Sequence, residues 1–419
     1  MMRHIPTRGR SSVARRAGIV GIAAAALVLS SCGGDSDSDT GSGGDGGSGD
    51  TIKVMTWAPL TSQLTNYPAI TEAAKTYEQY INDQGGINGM NLEVLTCDER
   101  GEPAAAADCA RQAIQEDVVA VISSFGYTGD ATIPLLQGAD IAMFGGCCSN
   151  AVSDLTLDNA FIMGNGPAYG AALAQRAVDD GKKKIAIVVI DGAQTYIEPI
   201  ANALAANGLE PHKEVILPAT AQDLAPQAAQ ALADGTDGVI MIVNADSIKA
   251  FMAAYKQFGS DARIYGPQGN LTEDVAKGFE EELEGAITGN SYADISEPAY
   301  DDFRAALEEY GAPTDISYNG LDGLGTWAGY TAFTDIVEDM EGEITSKAFL
   351  EAASQTSEID TGGMVAPVDF TQEWTEGPEG YERLFNRTAK FSTFEDGKLV
   401  AVPGDFVDYT NLMLGKPLN

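Results

Sequence analysis

The sequence predicts an α/β fold of two lobes, each a doubly wound, parallel-type sheet wrapped by helices. Three observations predict it. From Thr51 onward, short β-branched runs alternate with longer amphipathic or Ala-rich segments, the spacing of βαβ units. Several runs (VVAVIS at 118–123, IAIVVI at 185–190, GVIMIV at 238–243) are apolar without alternation, as strands buried on both faces require. The strand candidates also outnumber the roughly five or six that one sheet usually takes, so two sheets follow.

The chain opens with segments that are not fold material. Arg3, Arg8, Arg10, Arg15 and Arg16 form a positive stretch, and the apolar run from Ala17 to Leu29 is too short to span a bilayer. Leu29-Ser30-Ser31-Cys32 resembles a bacterial lipoprotein lipobox. That implies cleavage of residues 1–31 and lipidation of Cys32; an ordinary secretory leader is the alternative. Residues 33–50 hold eight Gly, four Ser, one Thr and five Asp, with nothing to bury. With Cys32 they read as a tether over 32–50, whose coil spans roughly 20–25 Å.

Charge and histidine content then exclude several functions. Sixty-one acidic against 25 basic residues give a net charge of −36, or −41 once the leader is removed. Such a surface repels phosphate backbones, which argues against nucleic-acid partners. Only His4 and His212 occur, and His4 leaves with the leader. A His-dependent triad or multi-histidine metal site is therefore not expected, and no G-x-S-x-G elbow or zinc motif is present. No enzyme activity, metal or cofactor is expected.

Strand candidates follow in order: Ile52–Trp57, Leu92–Thr96, Val118–Ser123, Ile141–Gly145, Ile185–Ile190, Glu214–Leu217, Val239–Val243, Arg263–Gly266 and Ala286–Thr288. Between them lie helix candidates Ala69–Gln84, Pro103–Glu116, Ala168–Asp180, Glu198–Asn207, Leu224–Asp234 and Ser247–Phe258. Glu280–Glu284 reads as a solvated run on a surface helix. The Gly-rich GLDGLG at 320–325 lacks the lysine of a phosphate loop and follows no clear strand.

Residues 80–89 (YINDQGGING) lead into a strand ending Thr96-Cys97-Asp98, an Ala-rich helix and EDVVAVI at 116–122. This succession resembles type I periplasmic binding proteins, and most of all the branched-chain amino-acid (leucine/isoleucine/valine) receptors of ABC importers. The resemblance implies two Rossmann-like lobes joined by a three-crossing hinge. Lobe one would comprise 51–164 plus 290–367, and lobe two 165–289 plus 368–401. Crossings would fall near 163–165, 289–290 and 367–369, with 402–419 a C-terminal extension. It further implies a monomeric extracytoplasmic lipoprotein, held at the membrane by its lipid. Such a protein would close on a small-molecule ligand and deliver it to a membrane permease. A ligand-sensing receptor ectodomain of the same fold is the alternative.

Ligands of open α/β sheets bind beyond the carboxyl ends of the strands. In the receptors resembled, the segments 124–129 and 146–150 hold the ligand's carboxylate through hydroxyls and backbone amides. The matching positions are Tyr127, Thr128, Cys148 and Ser149. Tyr196 matches a tyrosine that covers the ligand, while Asn244 and Asp246 follow a strand of lobe two. Tyr67 and Trp57 are candidate walls. At Gln268 the receptors have a glutamate for the ligand ammonium; an amide contributes no full charge. Either Asp246 or Asp191 replaces it, or the ligand is an amide, urea or other carboxylate.

Cys97 and Cys109, a short loop apart in an exported chain, are expected to form a disulfide. Cys147 and Cys148 are adjacent, and their Cα separation of about 3.8 Å is below the usual disulfide range. A vicinal bridge and two free thiols both remain open there.

Overall fold

The computed structural model describes residues 51–62, 65–126, 128–148, 151–218 and 223–418. The leader, the tether, Cys32, Tyr127 and Ser149 lie outside the described residues.

The first sheet contains β1 (Thr51–Ala58), β2 (Asn91–Asp98), β3 (Ala120–Ile122), β4 (Ala142–Phe144) and β5 (Ala160–Phe161), in the order β2-β1-β3-β4-β5. Every pairing in it is parallel. The second is built from β6 (Ile185–Ile190), β7 (Lys213–Leu217), β8 (Gly238–Ile242), β9 (Arg263–Pro267), β10 (Ile287–Asn290), β11 (Thr388–Glu395) and β12 (Lys398–Ala401). Its parallel part, β7-β6-β8-β9-β10, repeats the strand order of the first sheet, and β11 and β12 extend it antiparallel. Each sheet therefore has one switch point, between β1 and β3 and between β6 and β8. That is where an α/β sheet opens a crevice at its carboxyl edge.

Both sheets are covered on both faces, which explains their unbroken apolar runs. On β1, Ile52 and Val54 face one core while Met55 and Trp57 face another. On β6, Ile185, Ile187 and Val189 face one core and Ala186 and Val188 the other. Successive side chains point to opposite faces, so a doubly covered strand must be apolar throughout.

The nine strand candidates and the helices between them are present with shifted ends; Leu224–Asp234 shortens to Ala225–Ala231 plus a 3₁₀ turn. Two expectations need correction, those for Glu280–Glu284 and for Trp57. Glu280–Glu284 lies in turns rather than a helix, with Glu282 paired to Lys256 at 2.8 Å. The GLDGLG segment opens the helix Leu321–Asp339, whose glycines allow close approach: a Cβ on Gly325 would stand 2.9 Å from Cys147 Cβ. Trp57, a candidate ligand wall, is 1% exposed in the core beneath the sheet.

Residues after 402 belong to the second sheet's surroundings. A short strand, β13 (Val407–Asp408), pairs with β11, and Leu412 and Met413 are buried against the helix Ile197–Ala206.

Three chain segments run side by side between the two sheets. Asn165 Nδ2 donates to Thr388 O at 2.6 Å, and the Ser291 hydroxyl donates to Asn165 Oδ1 at 2.5 Å. Asn386 Nδ2 donates to Met163 O at 2.9 Å. Val368, Phe370 and Phe385 pack with the first sheet's core, whereas Trp374 and Leu384 pack with the second's.

Candidate functional site

The carboxyl edges of the two sheets enclose a cavity of about 240 Å³. From the first sheet's side come Tyr67, Phe125, Cys147, Cys148, Leu321 and Asp322. The second sheet contributes the turns after β6 (Ile190, Asp191, Ala193), β8 (Val243, Asn244) and β9 (Pro267–Asn270), with Tyr169 and Tyr196. Gly166 and Ser291 line the cavity where the three connecting segments run.

Two aromatic pairs face this space. Tyr67 meets Phe125 edge-on with centroids 4.6 Å apart, and Tyr169 lies 5.1 Å from Tyr196. Burial pushes the Tyr196 hydroxyl up to about 12, and the Tyr169 hydroxyl well above its usual range. Both stay neutral at physiological pH and offer hydrogen bonds without charge.

Several polar side chains around the cavity are held in place by hydrogen bonds to the backbone. Gln268 is 3% exposed; its Nε2 donates to Tyr292 O at 3.2 Å and its Oε1 accepts from Tyr292 N at 3.3 Å. Asn244 Oδ1 caps the helix Ala245–Phe258 by accepting from Ser247 N at 2.8 Å. Asn270 Nδ2 donates to Val243 O at 3.1 Å. No Lys, Arg or His lines the cavity among the described residues; its charged side chains are Asp191, exposed at the mouth, and Asp322, half-buried. Burial raises the Asp322 carboxyl to about 6, and the Gly323 backbone N–H lowers it in part.

The residues expected from sequence divide into three groups. Tyr67, Cys148, Tyr196, Asn244 and Gln268 line the cavity, as does Asp191, while Asp246 is exposed away from it. Thr128 does not line it: its hydroxyl donates to the buried Glu99 carboxylate at 2.9 Å. Tyr127 and Ser149 lie outside the described residues. The structure joins Cys97 to Cys109 and Cys147 to Cys148 as disulfides, with Cα separations of 5.8 and 3.8 Å.

Phe125, Tyr169, Ser291, Leu321 and Asp322 are lining residues that sequence reasoning did not single out. Asp322 had a signal in GLDGLG, whose glycines recur at helical spacing up to Gly329 and mark a helix pressed against other backbone. Phe125 follows β3, but a phenylalanine among hydroxyl-bearing neighbours carries no polar signal of a binding role.

Among the described residues, no group of three or more His, Cys, Asp or Glu side chains is placed to hold a metal ion. No helix among them is long and apolar enough to cross a membrane.

No curated protein matches this chain. Solved structures with the same fold include a leucine-binding protein from Thermotoga maritima, at 18% identity and a TM-score of 0.68, covering 85% of this chain and 99% of that one. A solute-binding protein from R. palustris in complex with 4-hydroxybenzoate has 20% identity and a TM-score of 0.68, over 86% and 98%. A fatty acid ABC transporter substrate-binding protein from Thermomonospora curvata has 16% identity and a TM-score of 0.70, over 88% and 95%. Residues 51–381 match the family model for periplasmic binding proteins. That match covers most of the chain, and with the repeated strand order and the cavity between the sheets it shows that the chain belongs to the periplasmic binding protein family, of type I fold: a family of binding proteins, not enzymes.

Proposed function

We propose that the chain is the solute-binding lipoprotein of an ABC importer. It captures a small amino-acid-like, carboxylate or amide ligand between its lobes and delivers it to a membrane permease. The observation that carries this reading is the position of the cavity, at the switch points of both sheets and lined by both. A ligand there touches two bodies at once, so its binding energy favours their closure.

The segments 163–165, 290–292 and 386–388 form the hinge in this reading, its third strand lying later than the expected 367–369. Lipidation at Cys32 holds the monomer at the outer face of the membrane, and the tether supplies reach. The 4-hydroxybenzoate, leucine and fatty-acid proteins of the same fold support capture of a small organic solute and leave its identity open.

A thermal-shift screen of amino acids, amides, ureas and small carboxylates tests the proposal. A ligand present at 100 times its dissociation constant stabilises the fold by about 2.7 kcal/mol. Stabilisation by one chemical series without turnover is expected. Turnover of the bound compound, or no stabilisation by any series, contradicts it.

A further inference from the structure

We infer that Asp322 selects the ligand's head group, and that the cavity takes a small, largely apolar solute carrying a protonated amine. This rests on the solute-capture reading and assigns the chemical class and the residue that reads it.

The other polar lining groups already hold protein partners with part of their hydrogen-bonding capacity. Gln268 uses one of its two N–H donors and one acceptor site on the backbone of Tyr292, and its remaining N–H and lone pair carry no full charge. Asn244 Oδ1 accepts from Ser247 N and Asn270 Nδ2 donates to Val243 O, and the remaining amide groups of both carry no full charge. Ser291 is paired with Asn165. Asp191 sits exposed at the mouth, where its Oδ1 accepts from Gln194 Nε2 at 2.8 Å and water screens it.

Asp322 is different. It stands in the first turn of the helix Leu321–Asp339, half-buried, on the cavity lining. No ion pair to it exists among the described residues, and no cationic side chain lines the cavity to neutralise it. Backbone N–H groups of its own turn satisfy part of its acceptor capacity. They supply dipoles rather than a counter-charge. A carboxylate in a small cavity without a protein cation is complementary to a cation brought by the ligand.

The rest of the cavity sets the body of that ligand. Tyr67, Phe125, Tyr169 and Tyr196 present aromatic faces, and Ile190, Val243 and Leu321 add aliphatic surface. Aromatic faces also attract ammonium groups, so the walls and Asp322 favour the same class. At about 240 Å³ the cavity suits a small solute rather than a drug-sized one.

Calorimetry on the purified full chain tests the assignment with two probe pairs that differ in the amine: L-leucine against 4-methylpentanoate, and benzylamine against benzoate. In the wild type, at least one amine-bearing probe is expected to bind tenfold or more tightly than its partner. Asp322→Asn is expected to abolish that preference through a roughly 10- to 100-fold loss for the amine, and Asp322→Glu to retain part of it. A purely structural Asp322 would change stability without changing the preference. Tighter binding of 4-methylpentanoate or benzoate, or an unchanged preference in Asp322→Asn, overturns the assignment and leaves solute capture standing. If no probe binds the wild type at millimolar concentration, the assignment falls, while solute capture is decided separately by the thermal-shift screen of amides, ureas and other series.

Discussion

Gly269, in the turn after β9, lies against Gly320, which precedes the helix Leu321–Asp339 on the opposite side of the cavity. A Cβ on Gly320 would stand 3.4 Å from Gly269 Cα, and a Cβ on Gly269 would stand 3.0 Å from Leu321 N. The two bodies thus touch through backbone at the rim of the cavity, a contact that side chains at either position would hold apart.

Gly269→Ala is therefore expected to weaken ligand binding while the fold survives. Its φ of +88° is unfavourable for alanine, and the added methyl crowds the rim. A loss of about tenfold in affinity, with a larger radius of gyration of the liganded protein, is expected from calorimetry and small-angle scattering. Unchanged affinity would mean that the rim contact does not belong to the ligand-bound state.

Thr128 is bound to a buried carboxylate rather than lining the cavity. Its hydroxyl donates to Glu99, which also accepts from Gly101 N at 3.1 Å. Thr128→Val leaves a buried carboxylate short of one donor and is expected to cost about 1–3 kcal/mol in denaturant unfolding. Burial raises the Glu99 carboxyl, so the folded state holds its proton to higher pH than the unfolded chain. The contribution of Glu99 to stability consequently falls as pH rises from its unfolded value through its folded one, and Glu99→Gln should remove that part of the slope.

Asp322 has the same sign and a defined window. Its carboxyl lies at about 6 against an ordinary 3.8. The ligand-free protein should lose stability as pH rises from about 4 to about 6 and then level off. Asp322→Asn should flatten this part of the profile and stabilise the ligand-free protein at pH 7–8 by about 1–3 kcal/mol. A melting series against pH for both proteins checks it; a destabilised Asp322→Asn would show that the carboxylate serves the helix terminus.

The bond between Cys97 and Cys109 closes a loop of 12 residues between a strand end and the following helix. Its removal by Cys97→Ala with Cys109→Ala is expected to cost on the order of 3 kcal/mol. Melting of the double variant, with the ligand profile unchanged, is the check.

How much of this was legible in sequence depended on whether a residue is placed by its own strand. Tyr196, Asn244 and Gln268 follow strands directly, so knowing the strand located them at the cavity. Asp322 and Ser291 arrive from segments whose approach depends on packing between distant parts of the chain. Trp57 shows the limit of the strand rule: it stands near the carboxyl end of β1, but its position in the alternation turns it beneath the sheet. Thr128 shows another, since its hydroxyl has a buried partner, Glu99, 29 residues earlier in the chain. The strands β11 and β12 went unmarked because their burial alternates, which weakens the apolar signal that betrays the parallel strands.

Small-angle scattering during titration tests the central claim, capture of a solute by closure of two bodies, most directly. The titrant is the compound giving the largest thermal shift. Binding of one molecule per chain with a decrease in radius of gyration, both abolished by filling the cavity with Ser291→Trp, is the expected result. Saturation without any change in dimensions, or binding that survives Ser291→Trp in a folded variant, would contradict it.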